Sequence, residues 1–364
     1  MSAYTLRSAV ADDNAGILAL FGAPQPSTGL SLGFERAPSY FLSAQVSHEA
    51  PDVLVASDRH DAVVGVFNIG RRQVFVNGQR QLVPYGSDMR IAPDHQGGRI
   101  LLYFNRLLRE RLVADGWYQT VILQENSRSQ DTFAQGGRAG LPVYHAHGKV
   151  VTSTLTACRL VSPPDLATRV ATVADVPAMT AFVERMAAHY QFLPAYDFAG
   201  LLRGDAYFQG LAIGDFHLVF RGNELVALGG LWSQKAFKQT RVLAYQPALA
   251  WLRPFWNLWA RWRGGLRLPP AGGLLDYVTA HSPLSAPADL PAFQALLAVL
   301  WGELRARGGH ALCLSLADTD PRRDVLRACG QHAITGQHYL ASYDEAALPA
   351  CDGGRIPYFE CGRL

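Results

Sequence analysis

The fold of this chain is decided by the stretch Asp88-Met89-Arg90-Ile91-Ala92-Pro93-Asp94-His95-Gln96-Gly97-Gly98-Arg99-Ile100. A strand ends at Pro93, two adjacent glycines follow, and an amphipathic helix begins. Glycine lets the backbone approach a ligand closely, and the free N–H groups of a helix start favour an anion. Arg99, in the first turn, can add a charge-assisted hydrogen bond to phosphate. The stretch predicts a phosphate-binding turn; an ordinary turn containing two glycines is the alternative.

Around this stretch the chain repeats itself. Arg7 and Asp13 correspond to Arg169 and Asp175, both 162 residues later, and in each case a short strand leads into a helix. The apolar run 61–66 corresponds to 223–228 at the same offset. A third match needs a longer offset of 192 residues, so the second half carries about 30 additional residues. Three matches in the same order predict two copies of one domain.

Each half is predicted to run β-α-α-β-β-β-α-β-α-β, which gives an α/β fold (α+β, mixed sheet) with helices packed on the sheet. The pair Pro163-Pro164 disfavours a continuous helix or strand and marks the linker. We therefore predict an N-terminal domain at 1–160 and a C-terminal domain at 161–364. The second domain holds the additional residues as a Trp-rich insertion near 244–270.

The composition limits the function classes. The formal net charge of +3 is too small to favour nucleic acid as a partner. The five cysteines show no CxxC spacing, which favours reduced thiols and a cytoplasmic protein over a disulfide framework or a zinc site. The N-terminus shows no secretory signal, and no run of about 18 apolar residues suggests a spanning helix, so no membrane association is expected.

The turn resembles the phosphate-binding turn of the GCN5-related N-acetyltransferase (GNAT) superfamily. That family has a strand, a turn of the form Pro-x-x-(Arg/Gln)-Gly-x-Gly-x-(Gly/Ala), and a helix whose start holds the coenzyme A pyrophosphate. Pro93, Gln96, Gly97 and Ile100 fit this pattern, whereas Arg99 and Leu101 stand where the family has Gly, or Gly or Ala. The resemblance covers most of residues 3–157 and, more faintly, 166–345, and it implies two tandem GNAT-like domains.

The resemblance also implies where the ligands bind. The strand Asp88–Ile91 should splay from its neighbour, so that main-chain groups of Met89 and Ile91 pair with the pantetheine arm. Asn126, after the strand Val121–Gln124, resembles an Asn often found there in the family. The implied coenzyme A-binding residues are Met89, Arg90, Ile91, Gln96, Gly97, Gly98, Arg99, Ile100 and Asn126.

By the same resemblance, acetyl-CoA or another acyl-CoA is the co-substrate, and a small-molecule amine or a peptide is the acceptor. Direct attack of the amine on the thioester needs a base and an acid. The candidate bases are Asp88 and Glu125, and the candidate acids are Tyr144 and Tyr103. The predicted function is acyl-CoA-dependent N-acyltransferase, most simply acetyl transfer. The main alternative is a non-catalytic GNAT-fold protein that binds a ligand or acts as a scaffold, and a further one is an aminoacyl- or peptidyl-type transferase.

The second half lacks the glycine turn. Its matching segment, 285–291, contains no glycine, and Asp289 is predicted to cap the following helix and to repel a pyrophosphate. In the insertion, a helix from Arg253 onward would place Phe255, Trp259 and Trp262 on one side. Packing in the core or between domains is the first interpretation, with a substrate wall, a partner surface or an interfacial membrane helix as alternatives. His145 and His147 are predicted to face solvent rather than to bind a metal.

Overall fold

The computed structural model describes residues 4–22, 30–97, 99–124, 140–263 and 265–364. One mixed sheet of 13 strands runs through the molecule, with helices packed on it. The strands of the first half are β1 Thr5–Ser8, β2 Leu30–Glu35, β3 Val53–Ser57, β4 Val63–Val76, β5 Gln79–Ile91, β6 Trp117–Leu123 and β7 Val143–Thr156. The helices of that half are α1 Asn14–Phe21, α2 Tyr40–Ser47 and α3 Ile100–Arg111.

The second half follows the same plan with additions. Its helices are α4 Val176–Met186, α5 Ala199–Arg203, α6 Pro247–Arg263 and α7 Leu290–Ala306. Its strands are β8 Leu166–Val170, β9 Tyr190–Gln191, β10 Leu193–Pro194, β11 Phe216–Arg221, β12 Glu224–Trp232, β13 Gln239–Tyr245, β14 Val278–Ser285, β15 Leu312–Ala317, β16 Gly330–Ser342 and β17 Ile356–Pro357. The additional residues form α6, and β13, directly before it, pairs with β2 of the first half. Among the helices of the described residues, none has the length and apolar character needed to cross a bilayer.

The repeat predicted from the sequence is present in the hydrogen bonds. Arg7 binds Asp13 through two parallel bonds of 2.6 and 2.8 Å, and Arg169 binds Asp175 in the same way at 2.7 and 2.6 Å. In both halves the Asp also accepts a backbone N–H three residues earlier. The arginine beside Asp175 holds the pKa of that carboxyl well below its usual range. The two strand-to-helix connections are therefore the same local structure.

Two further features repeat. Gly116 and Gly308 follow the ends of α3 and α7 with positive φ of 72° and 79°, a conformation that costs glycine little. A bulge interrupts β5 at Asp88 (φ 56°) and β14 at Ser282 (φ 44°), where the pairing register with β4 and β12 shifts. These features confirm a mixed α/β fold built from two copies of one domain.

The two halves exchange strands at the centre of the sheet. The last long strand of the second half, β16, lies between β6 and β7 of the first half. In turn, β7 pairs along its other edge with β15 of the second half. The strand order at the centre is therefore β6-β16-β7-β15. Each half therefore contributes a strand to the part of the sheet that belongs to the other half. The sheet is continuous across residue 160, and the domain boundary there stays a prediction.

Cys158 and Cys329 form a disulfide, which corrects the expectation that all five thiols are reduced. Cys158 follows β7 and Cys329 directly precedes β16, and the two strands pair antiparallel with Gly330 opposite Thr156. The strand exchange thus brings together two cysteines that are 171 residues apart. Spacing rules based on nearby cysteines could not detect this pair.

Replacing both Cys158 and Cys329 with serine should lower the free energy of unfolding by about 2–4 kcal/mol, because the bond restricts the unfolded chain. Urea unfolding under non-reducing conditions measures the change, and the wild type with a reducing agent should match the variant. Cys351→Ser is the matched control, since Cys351 is a free cysteine. An unchanged unfolding midpoint in the double variant would contradict the structural role of the bond.

Candidate functional site

A wedge-shaped gap opens between the parallel strands β5 and β6. The two strands pair at a single position, Tyr85 with Gln119. Beyond it β5 stays paired with β4 as far as Ile91, while β6 stays paired with β16 as far as Leu123. Ser87–Ile91 and Thr120–Leu123 then line the same cavity, whose volume is about 2520 Å³. The splay that the GNAT resemblance implied is present at the end of the Asp88–Ile91 strand.

The backbone of β5 presents polar groups to this gap. The Ala92 N–H donates to Val64 O of β4 at 2.9 Å, which sets the direction of the alternating backbone groups. Because backbone groups in a strand point alternately to its two edges, those of Met89 and Ile91 face away from β4 and into the gap. The Ile91 carbonyl already accepts a hydrogen bond from the Gln96 side chain at 2.9 Å. Main-chain groups of Met89 and the Ile91 N–H are thus the polar backbone groups that face the gap.

The bulge aims the Asp88 carboxylate at a buried partner. Arg36 binds it at 3.1 Å, and the Tyr40 hydroxyl lies 3.4 Å from its other oxygen. Arg36 is only 8% exposed. Burial and the adjacent carboxylate raise the pKa of Tyr40 well above its usual range, so Tyr40 stays protonated. The bulge therefore places an ion-paired carboxylate beside the gap.

Two more cations surround this carboxylate. Arg90 packs over the Phe21 ring at 4.9 Å, and burial lowers its pKa while Asp88 opposes the shift. Lys238, from the second half, donates to Leu364 O at 2.7 Å. Burial lowers the pKa of Lys238 to about 8, with Arg36 acting in the same direction. Around Asp88 the cavity wall is therefore more positive than negative, which favours an anionic ligand.

Tyr144 and Tyr118 form a hydroxyl pair at the narrow end of the gap. Their oxygens are 2.9 Å apart, and Tyr118 directly precedes Gln119, the residue of β6 that pairs with β5. Burial raises the pKa of both phenols far above the usual value, so both are O–H donors at neutral pH. Gly86 allows the close packing, since a Cβ there would lie 3.0 Å from Tyr118. Both tyrosines line the cavity.

Tyr103, the other candidate acid, is elsewhere. It lines a shallow surface pocket with Tyr4, Leu6 and Glu110 rather than the gap. The helical period places it on a face of α3 that does not meet β5 and β6 at the splay. The structure therefore separates the two candidate acids, and only Tyr144 lies at the cavity.

The glycine turn lies at the open end of the same cavity. Pro93–His95 form a short 3₁₀ turn, and Gly97 has a φ of 75° with no atom within 4 Å of a Cβ position. The helix α3 begins at Ile100 after Arg99, whose side chain is exposed. Its first N–H groups have no carbonyl one turn earlier to bind, so they are available to an anion.

Two of the predicted coenzyme A residues use their side chains differently. The Ile100 side chain is fully buried in the core with Phe104, so only its backbone can meet a ligand. The Gln96 side chain turns back onto β5. Both were predicted from a motif that describes backbone shape, and a motif does not give side-chain direction.

Three predicted residues, Gly98, Glu125 and Asn126, lie outside the described residues. His147 is not on a solvent-facing strand as predicted: its ring packs on Phe192 and His338 at 5.3 and 5.4 Å, because β16 lies beside β7. Burial lowers its pKa. Across the described residues, no three His, Cys, Asp or Glu side chains are grouped as a metal ion would require.

The equivalent gap in the second half is filled by the chain itself. Strands β14 and β15 pair at Val278 and Thr279 only, and the C-terminal segment enters beyond them. The Ser282 N–H, at the bulge, donates to Glu360 Oε2 at 2.8 Å, and the Tyr196 hydroxyl donates to the same oxygen at 2.6 Å. Arg363 stacks on Tyr207 at 3.4 Å. The backbone group at the second bulge is thus already bound.

The helix start of the second half is also occupied. Asp289 accepts the Ala292 N–H at 3.1 Å, which confirms the predicted N-cap. Arg221 binds the same carboxylate through two bonds of 2.9 Å. A carboxylate at this position satisfies the helix N-terminus and repels phosphate. The two halves therefore present one open gap and one closed gap.

Several residues of the site could not be found from sequence patterns. Arg36 and Tyr40 come from segments about 50 residues before Asp88, and Lys238 comes from the other half. Among the missed residues, Tyr118 was the easiest to predict from the sequence, because it stands at the start of the strand that follows the predicted helix.

The sequence matches no protein-family model and no curated protein. Solved structures are similar. A GCN5-related N-acetyltransferase from Sphaerobacter thermophilus matches over 98% of this chain and 99% of its own, with a TM-score of 0.58 and 14% identity. A GCN5-related N-acetyltransferase from Anabaena variabilis covers 94% of this chain and 74% of its own, at 0.54 and 11%. Saccharomyces cerevisiae N-myristoyltransferase with bound myristoyl-CoA covers 94% and 83%, at 0.58 and 9%.

Proposed function

From the GCN5-related N-acetyltransferase fold, which this chain has in two tandem copies, we propose that it is an acyl-CoA-dependent N-acyltransferase with one active site, in its first half. One observation carries the proposal: the gap between β5 and β6 is open and bordered by polar backbone groups, whereas the gap between β14 and β15 is filled. The gap beside the first bulge is open, whereas the backbone at the second bulge is bound to Glu360. This difference favours a single ligand per chain.

The donor is an acyl-CoA held mainly by backbone groups. The pantetheine arm pairs with main-chain groups of Met89 and Ile91, and the pyrophosphate meets the turn at Gly97 and the start of α3. Arg99 supplies a nearby charge, and Asn126 completes the predicted set. The cavity volume of about 2520 Å³ exceeds that of a typical ligand pocket, so it leaves room for an acyl group longer than acetyl.

The acceptor is an amine, of a small molecule or a peptide. Its nitrogen attacks the thioester carbonyl, a C–N bond forms and the C–S bond breaks. Asp88, or Glu125 in its place, takes the proton that the amine loses. Tyr144 gives its hydroxyl proton to the departing thiolate, and its raised pKa keeps that proton available at neutral pH. The proton count closes when the carboxylate base releases its proton to solvent and Tyr144 recovers one from solvent or through Tyr118.

The first test is calorimetric titration of the full chain with coenzyme A, acetyl-CoA and a long-chain acyl-CoA. We expect micromolar binding at one site per chain, with the preferred acyl length given by the tightest ligand. Two sites per chain would contradict the closed second gap. Absence of heat with all three ligands would refute the proposal and leave a non-catalytic GNAT-fold protein.

Gly97→Val should weaken coenzyme A binding about tenfold, because an L residue in the left-handed region costs about 1–2 kcal/mol and the turn must change shape. The same titration measures the loss. Gly222→Val is the matched control: Gly222 also has a positive φ and open space around it, in the β11–β12 turn of the second half. Equal affinity of the Gly97 variant and the wild type would remove the turn from the site.

A further inference from the structure

The helix α6 carries its apolar side chains on the outside. The outer face of α6 consists of Trp251, Leu252, Phe255, Leu258, Trp259 and Trp262, all exposed. At 100° per residue these six positions fall within an arc of about 120°. Trp262 is 90% exposed. The expectation that the Trp-rich insertion packs in the core or between domains is therefore wrong for these side chains.

The opposite face of α6 holds the helix in this orientation. Trp256 Nε1 donates to Leu266 O at 3.0 Å, and the Asn257 side chain forms two bonds of 2.8 Å with the backbone of Leu268. Ala260 is 1% exposed. Surface helices usually bury the apolar face and expose the polar one, and here the polar contacts are inside. The outer face is thus presented by specific contacts.

The charge around the outer face has one sign. From residue 225 to 275 the sequence has no Asp or Glu. Four arginines lie in or directly after α6: Arg253, Arg261, Arg263 and Arg267. The nearby acids Asp276 and Glu35 are already paired, with Lys235 and Arg241. Arg261 is exposed and precedes Trp262 in the sequence, and Arg267 is exposed just beyond the end of α6.

One further arginine, Arg305, lies near Arg267. Arg305 contacts the His310 ring. Burial, and then the charges of Arg305 and Arg267, lower the pKa of His310, whereas the charge of Asp276 opposes the shift. The resulting surface is an aromatic strip edged by arginines. Tryptophan and arginine together suit the headgroup region of a bilayer, where the rings reach the acyl boundary and the guanidinium groups meet lipid phosphates.

We propose that the outer face of α6 docks on an anionic lipid bilayer. A second copy of the chain is a poorer occupant, because a two-fold contact would set the same arginine rim against itself. The bilayer would lie beside the cavity: Leu266, bound by Trp256, lines the cavity, as does the exposed Ile334. This inference stands on the outer face of α6 and does not depend on acyl transfer.

Vesicle flotation of the full chain tests the proposal, with phosphatidylcholine vesicles compared to vesicles of phosphatidylcholine and phosphatidylglycerol. We expect binding to the anionic vesicles only, weakened by salt. Trp259→Ser/Trp262→Ser should lower the partition coefficient at least about tenfold. Val113→Ser, at another exposed apolar residue on the surface, is the matched control and should bind like the wild type.

A second variant separates charge from apolar contact. Arg261→Glu/Arg267→Glu should abolish the preference for anionic vesicles while the unfolding midpoint stays unchanged, since both side chains are exposed. Failure of the wild type to float with anionic vesicles would overturn the proposal. So would sedimentation velocity that shows a dimer lost in the Trp259→Ser/Trp262→Ser variant, because the occupant would then be a second copy.

Discussion

Tyr144→Phe is expected to lower kcat about 100-fold or more with an acyl-CoA and an amine acceptor, at nearly unchanged KM for the acyl-CoA. General acid catalysis contributes about 10²–10⁴-fold, and phenylalanine keeps the ring while it removes the proton donor. The raised pKa of Tyr144 keeps its phenol protonated near neutral pH. Steady-state kinetics with thiol release as the readout measure the effect.

Tyr103→Phe is the control for this prediction. It removes the same hydroxyl from the other candidate acid, which lines the surface pocket with Tyr4 rather than the gap. We expect wild-type kcat. Tyr118→Phe should fall between the two, because Tyr118 shares a hydrogen bond with Tyr144. A Tyr144→Phe enzyme with wild-type kcat would exclude Tyr144 as the acid.

Stability should fall steeply when the pH drops below about 6.5. His48, His281 and His338 are fully buried, and burial lowers the pKa of each below its ordinary value. For His338 the pKa falls to about 3. The folded state thus holds these rings neutral at a pH where the unfolded chain binds protons. The stability that these rings contribute is fully present above the histidine pKa of the unfolded chain. It is lost as the pH falls from there toward the lower pKa of the folded state.

For His48 and His281, hydrogen bonds explain why the rings must be neutral. The Asn68 amide donates to His48 Nδ1 at 3.2 Å, and Arg363 donates to His281 Nε2 at 3.1 Å. A protonated ring has no acceptor nitrogen, so each bond would be lost, and His281 would also face the charge of Arg363. Each histidine therefore contributes up to about 1.4 kcal/mol per pH unit to the slope.

Urea unfolding between pH 7.5 and pH 5 measures this slope. His281→Gln should flatten it by up to about 1.4 kcal/mol per pH unit, since one titrating group is removed. His60→Gln is the control, because His60 is exposed, and it should leave the slope unchanged. A wild-type stability that is constant down to pH 5 would show that these rings are protonated in the folded chain.

The parts of the fold that the sequence predicted are those with short-range causes. Arg7 with Asp13, and Arg169 with Asp175, lie six residues apart, so each pair forms within a single strand-to-helix connection. Asp289 caps α7 from three residues away. The glycine turn likewise lies between a strand and a helix that follow one another. The two Arg–Asp pairs recur at an offset of 162 residues, and that recurrence helped to identify the tandem fold.

The site is less local. Asp88 was a candidate from its place at a strand end, but its partner Arg36 is 52 residues away. From the sequence, Tyr144 was preferred to Tyr103 only because a tyrosine on a helix more often packs in the core. The strand order β6-β16-β7 decides which ring reaches the gap. The filled second gap depends on Glu360 contacting Ser282 across 78 residues.

By itself, the sequence determined the repeated α/β domain, the glycine turn at Gly97 and the absence of that turn in the second half, because backbone propensities and caps act within a few residues. Only the tertiary structure decided the strand exchange, the Cys158–Cys329 bond, the closed second gap and the outward face of α6. Periodicity tells which side chains share a face of a helix. Whether core or solvent lies against that face depends on long-range contacts, which no local pattern records.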